Sequence, residues 1–253
     1  MFGFKACDIP LEPNQKRGNY KGEVAVDKGR YQQLVGKLIY LSYSRLDIVV
    51  AVSVVRQFMH APHQIHFETV MRILRYLKFA PDKGLYFSKY DHLRIEAYTD
   101  ADWAGSVTDR RSTSGYCTFV GGNLVTWRSK KQNMVARSSA EAEFRAMAQG
   151  VCKLLWIKLL LSDLGIDQMD SMQLYCDNKA AINIAHNPVQ HDRTKHVEID
   201  CHFIKEKLTS GTICTLFVQS GEQLADILTK RVGSKPFHGI LGKLGMRNIF
   251  ALA

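Results

Sequence analysis

The stretch LRIEAYTDADWAGS, Leu93 to Ser106, alternates apolar and polar residues and then places Asp100 and Asp102 at its far edge. Alternation of this kind reads as a half-buried strand. A carboxylate left at the edge of a core without a partner costs several kcal/mol or takes up a proton. Something positive has to meet it.

Downstream the strand pattern continues. SGYCTFV and NLVTWRS are joined through Gly121, Gly122 and Asn123 in a hairpin-like turn, which predicts three antiparallel strands. A long helix follows ARSS, with Ser138 or Ser139 as its cap and Glu141 placed to close a capping box. Phe144, Met147, Val151, Leu154 and Leu155 recur at helical spacing to about Leu164. Then come a strand, SMQLYC; a helix, NKAAINIAH, stopped by Asn187 and Pro188; a helix, EIDCHFIKEKL; a strand, TICTLFV; and a last helix from about Gly221 to Arg231. Strands separated by helices imply crossovers. The expected fold over residues 93–232 is therefore α/β, a mixed five-stranded sheet with helices on both faces.

Upstream, residues 1–30 mix Pro, Gly and charge without a period and read as an extended arm or linker. Residues 31–85 read as a small helical subdomain. YQQLVGKLIYLS repeats Leu34, Leu38 and Leu41, DIVVAVSVVRQFMH opens on Asp47 as a cap, and HFETVMRILRYLKFA carries Val70, Ile73, Leu74 and Leu77. Its basic positions Arg72, Arg75 and Lys78 either lie along a phosphate backbone or face water. Residues 233–253 read as a C-terminal tail.

At 253 residues, with 46% hydrophobic and 23% charged, the chain has an ordinary globular composition and buries a core without disulfide help. Its charge is less ordinary: 34 Lys and Arg against 24 Asp and Glu leave +10, with a pI near 9.3. Such a surface attracts polyanions, so nucleic acid is the first partner to consider. The six cysteines show no C-x-x-C spacing, which argues against a zinc ribbon or redox dithiol and for reduced, packing thiols. The longest apolar run, IVVAVSVV from Ile48, falls short of the about 20 residues a membrane span needs. The expectation is an intracellular protein, cytoplasmic or nuclear, with no membrane partner.

Functional groups of α/β sheets collect at the carboxyl ends of strands and the starts of helices. That rule selects Asp100, Glu143, Asp177 and Asp226. Each has a rival reading: Asp102 in place of Asp100, a simple helix cap for Asp177, Glu141 in place of Glu143, a solvated helix position for Asp226. Four acids in one cleft repel one another unless cations neutralise them, and hard oxygen ligands suit Mg²⁺ or Mn²⁺. Two such ions roughly 3.5–4 Å apart activate water and stabilise the leaving oxygen of a phosphodiester.

YTDADWAGSVTDRRSTSGYCTFVGGNLVTWRSKKQNMVARSSAEAEFRAMAQG, LYCDNKAAINIAHNPVQHDRTKHVEIDCHFIKEKL and QLADILTK closely resemble the ribonuclease H region at the end of the Pol polyprotein of copia-type LTR retrotransposons. YQQLVGKLIYLSYSRLDIVVAVSVVRQFMHAPHQIHFETVMRILRYLKFAPDKGLYF resembles the reverse transcriptase thumb or connection before it. The resemblance implies a ribonuclease H-like fold in which Asp100, Glu143, Asp177 and Asp226 hold two Mg²⁺ ions, with Mn²⁺ as substitute. It selects Glu143 over Glu141 and implies endonucleolytic hydrolysis of the RNA strand of RNA–DNA hybrids. FVQSGEQLAD lacks the histidine that many cellular ribonucleases H carry there, and the family's Arg-Pro-Asp triplet is Arg45-Leu46-Asp47. No Tyr-x-Asp-Asp motif is present, so the chain alone is not expected to make DNA; a reverse transcriptase polymerase region is an expected partner.

Arg110, Arg111, Arg128, Lys130, Lys131 and Arg137 are the expected phosphate contacts to hybrid. Ser112, Thr113 and Asn178 are placed for 2′-hydroxyls, or serve as turn and cap formers. The alternative is a domesticated or decayed transposon fragment that binds nucleic acid or protein without cutting. His191, His196, His202 and Cys201 fit no zinc-finger spacing.

Overall fold

The computed structural model describes residues 7–13, 26–106, 108–167, 170–186 and 195–250. Much of the expected arm, the Asn187–Pro188 helix stop and His191 lie outside them. In chain order the elements are α1 (Lys28–Leu41), a 3-10 turn (Leu46–Ile48), α2 (Val49–Arg56), α3 (Gln64–Phe79), β1 (Lys83–Leu85), β2 (Ile95–Ala101), β3 (Thr113–Val120), β4 (Asn123–Lys131), α4 (Ser139–Asp163), β5 (Met172–Cys176), α5 (Lys179–His186), α6 (Lys195–Thr209), β6 (Ile213–Phe217), 3-10 turns at Ser220–Glu222 and Leu224–Leu228, α7 (Ser234–Lys243) and β7 (Met246–Asn248). They form two compact units: Met1–Tyr86 with Lys230–Ala253, and Phe87–Thr229.

In the first unit α1, α2 and α3 bury Tyr31, Val35 and Leu38, Val52 and Val55, and Val70, Ile73 and Tyr76. The Tyr31 hydroxyl donates to the Val55 carbonyl at 2.7 Å, tying α1 to α2. Asp47 does not cap the second helix. It lies buried inside the 3-10 turn, where Arg45 Nε donates to Oδ1 at 3.0 Å and the Tyr76 hydroxyl to Oδ2 at 2.6 Å. A buried guanidinium is a far stronger partner for a carboxylate than a helix-end N–H. Leu46, where the family triplet has proline, is fully buried in that turn.

Nor are residues 233–250 a tail. Phe237, Ile240 and Leu241 recur at helical spacing and are buried by α7, with the Phe237 ring edge-on to Tyr76 at 6.0 Å. β7 then pairs antiparallel with β1, Leu85 opposite Met246.

His66, on α3, is buried against Phe58 with ring centroids 3.6 Å apart, and its Nδ1 accepts from the His63 N–H at 3.0 Å. Burial first, and then the neighbouring His63, push its pKa down to about 4. The stability from keeping this ring neutral is therefore present above the unfolded value near 6.5 and is lost as pH falls toward 4. We expect thermal melts to show the first unit losing up to about 3 kcal/mol over that window, and His66→Phe to flatten the loss.

The second unit is built on a five-stranded sheet of order β4-β3-β2-β5-β6. β2, β3 and β4 form an antiparallel meander, while β5 pairs parallel to β2 and β6 parallel to β5. Ile95 and Ala97 of β2 point into a core shared with Phe144, Met147, Val151 and Leu154 of α4, Leu174 of β5, Ala181 and Ala185 of α5 and Ile204 of α6. Gly150 lets α4 press on that face, since a Cβ there would lie 2.5 Å from Thr99 Cγ2.

The expected helix at 221–231 is instead a pair of 3-10 turns. Gln223 between them takes an extended ψ of 105°, and its buried amide donates to the Thr99 carbonyl at 3.0 Å, so a continuous helix is interrupted by a bond to β2. The second turn lies on the sheet face opposite α4, where Gly115 makes room: a Cβ there would meet Thr229 Cγ2 at 2.7 Å and Leu228 Cβ at 2.8 Å.

Candidate metal centre

Asp100 is the sixth residue of β2 and is fully buried; Asp177 follows β5 directly; Glu143 sits in the second turn of α4; Asp226 lies in the 3-10 turn on the opposite face. Parallel pairing of β2 with β5 brings Asp100 and Asp177 to the same end of the sheet. Asp100, Asp177 and Asp226 each offer a carboxylate oxygen within 4.8 Å of the others, as do Glu143 and Asp177 together with the Cys176 sulfur. Asp177 is common to both groups, so the four expected acids form one cluster.

The rival residues are engaged elsewhere. The Asp102 carboxylate accepts the Thr113 N–H and closes the β2–β3 connection. Glu141 accepts the Arg137 N–H at 2.7 Å and an Arg145 guanidinium N–H at 2.6 Å, while Ser138 caps α4 through the Glu141 N–H. Asn178, not Asp177, caps α5, its Oδ1 accepting from Ala181 N–H at 3.0 Å. Asp177 is left facing the cluster, with the Ser220 hydroxyl donating to its Oδ2 at 2.8 Å.

Glu143 carries the strain of the arrangement. Burial first, then the charges of Asp100 and Asp177, push its pKa up to about 9. Its Oε2 is buried with no hydrogen-bond partner. An orphaned acceptor beside two further carboxylates is what a divalent cation would satisfy, and an all-oxygen donor set fits a hard cation. Cys176 does not join that set, because burial holds its thiol protonated and a hard cation prefers oxygen.

The basic residues divide. Register places Arg128 and Lys130 on the α4 face of the sheet, aligned with Tyr116 and Ser114, whereas Lys131 shares the Asp100 face. Lys131 and Arg111 both bind Asp109, at 2.9 and 2.7 Å. Arg110 is exposed with a left-handed φ of 55°, and Arg137 is exposed before α4. Ser112 presents nothing to a ligand: it is fully buried, its hydroxyl accepting from the Ala104 N–H at 3.1 Å. Thr113 is half-buried.

Two hydroxyls were missed altogether, Ser220 on Asp177 and Thr229, which donates to Asp100 Oδ2. Neither lies in a pattern that periodicity detects.

An antiparallel meander followed by two parallel crossovers, with acids at the ends of β2 and β5, is a ribonuclease H-like fold. The chain's most similar relatives among curated proteins include retrovirus-related Pol polyproteins of plant transposons. It is 40% identical over 249 residues to the retrovirus-related Pol polyprotein from transposon RE1 of Arabidopsis thaliana, covering 98% of this chain and 17% of that protein. It is 36% identical over 229 residues to the one from transposon TNT 1-94 of Nicotiana tabacum, covering 90% of this chain and again 17% of that protein. The chain thus spans about a sixth of the length of these relatives. Among solved structures, RNase H1 from the halophilic archaeon Halobacterium salinarum NRC-1 is similar at 18% identity and a TM-score of 0.38, covering 54% of this chain and 94% of that one. No family model matches the chain. Among the described residues no helix is long and apolar enough to cross a membrane.

Proposed function

We propose that the second unit hydrolyses the RNA strand of RNA–DNA hybrids endonucleolytically, as the ribonuclease H part of a transposon Pol. The observation that carries this reading is the convergence of Asp100, Glu143, Asp177 and Asp226, with the buried Oε2 of Glu143 left without a hydrogen-bond partner. When bound, a pair of Mg²⁺ ions, or Mn²⁺ in their place, supplies the positive charge that activates water and stabilises the leaving oxygen. The four carboxylates hold that charge. Asp100 and Glu143, being buried, are shielded from competing water and fix where the scissile phosphate is drawn. Glu143, whose proton is retained by burial and by the neighbouring acids, would release it to solvent on becoming a ligand.

Arg110, Arg111, Lys131 and Arg137 position the duplex through its phosphates. Arg128 and Lys130, on the far face of the sheet, are left out of that track. Thr113 and the free amide N–H groups of Asn178 remain for the 2′-hydroxyls that distinguish RNA. A reverse transcriptase polymerase region is the proposed partner in the full-length protein.

The test is degradation of end-labelled RNA annealed to DNA. We expect Mg²⁺-dependent cleavage by the wild-type chain and at least about a thousand-fold loss in Asp177→Asn with folding intact, the scale expected when a developing charge loses its stabilising partner. Cleavage that persists in Asp177→Asn would refute the site. A chain that binds hybrid but never cuts would point to the non-catalytic module instead.

A further inference from the structure

We propose that Thr229 is a positioning residue for the metal centre, fixing the Asp100 carboxylate through its hydroxyl; this rests on the metal-dependent reading above. Thr229 is 5% exposed and Asp100 fully buried, so the bond between them faces little competition from water. The same 3-10 turn that delivers Asp226 ends in Thr229, three residues on. It is held to β2 at both ends: Gln223 donates to the Thr99 carbonyl, and Thr229 donates to the side chain of the very next residue, Asp100. The turn therefore presents one acid of the cluster and holds another.

The hydroxyl has a second acceptor within reach, the Asp226 carbonyl at 3.3 Å. It has one proton to give, and the carboxylate is the stronger acceptor. A carboxylate has about four lone-pair sites, so the hydroxyl occupies only one of them while stopping the broad, two-fold rotation that an aspartate's terminal torsion otherwise allows. The β-branched threonine suits the task, because its own first torsion is stiff and its methyl is packed over Gly115. Ser220 makes a similar bond to Asp177 but is exposed, so water can replace it and its loss should matter less.

Thr229→Val keeps the shape and removes the hydroxyl, and Thr229→Ser keeps the hydroxyl. Mg²⁺ affinity is to be measured by calorimetry and by the Mg²⁺-induced rise in melting temperature, alongside hybrid cleavage. We expect Thr229→Val to weaken Mg²⁺ binding about 10- to 100-fold, the range found when an outer partner of a metal ligand is removed. Thr229→Ser should bind like wild type. Should Thr229→Val fail to fold, Thr229→Ala against Thr229→Ser gives the same comparison. Wild-type Mg²⁺ affinity in Thr229→Val would overturn the positioning role while leaving the metal centre standing. A wild-type chain that binds no Mg²⁺ would overturn both.

Discussion

In metal-free buffer at pH 7, Glu143→Gln should melt higher than the wild-type chain. Glu143 is buried beside two carboxylates, and these push its pKa up to about 9, whereas the same side chain titrates near 4.5 when unfolded. Folding must then either hold a proton that water would have removed or bury a third negative charge. The sign is fixed by linkage: stability is fully present below about 4.5 and is lost progressively as pH rises toward 9. At pH 7 the loss covers about 2.5 units, or about 3 kcal/mol, all of which a neutral glutamine avoids. For a unit of this size that is roughly 6–12 °C in melting temperature. Lowering the pH to 4.5 should close the gap. Adding Mg²⁺ should raise the wild type and leave Glu143→Gln nearly unmoved, so the substitution that stabilises the empty fold removes its response to metal. Equal melting of the two chains across pH 4.5 to 9 would mean the acids do not repel.

The second large effect is structural. Arg45→Ala should destabilise the first unit by about 3–5 kcal/mol, read as a drop in the midpoint of urea unfolding. Arg45 and Asp47 are 8% and 3% exposed, and Tyr76 is fully buried, so removing the guanidinium leaves a carboxylate that water cannot reach. The guanidinium grips through two nitrogens, Nε to Oδ1 at 3.0 Å and a terminal nitrogen to Oδ2 at 2.6 Å, which no lysine reproduces. Tyr76→Phe should cost only about 1 kcal/mol, because it removes one donor from an acid that keeps two others. Replacing Arg45 and Asp47 together by Met and Leu should cost much less than Arg45→Ala alone, since neither charge is then stranded. A double variant as unstable as the single one would show that packing, not the pair, holds the turn.

Much of the second unit is legible in the chain because its cores are local in pattern. Ile95, Ala97 and Thr99 alternate, and Phe144, Met147, Val151 and Leu154 recur every three or four residues, so β2 and α4 announce themselves. What periodicity missed depends on distant partners. Residues 221–231 have helical composition, yet Gln223 reaches a carbonyl 124 positions away in sequence and breaks the helix there. Asp47 sits where a cap belongs, but the buried Arg45 and Tyr76 claim it. That Asp102 spends its carboxylate on the Thr113 N–H, and that Asn178 rather than Asp177 caps α5 through the Ala181 N–H, is visible only in the folded chain. The α7 helix is a different case: Phe237, Ile240 and Leu241 carry a readable spacing that a short segment after a predicted helix made easy to pass over. For the acids themselves, wording shared with a known family outweighed spacing.

The most direct measurement is anomalous diffraction from crystals of the chain soaked in Mn²⁺. Two peaks bounded by the carboxylates of Asp100, Glu143, Asp177 and Asp226, absent in Asp177→Asn, are predicted. Manganese bound elsewhere, with those four side chains bare at millimolar concentrations, would contradict the account.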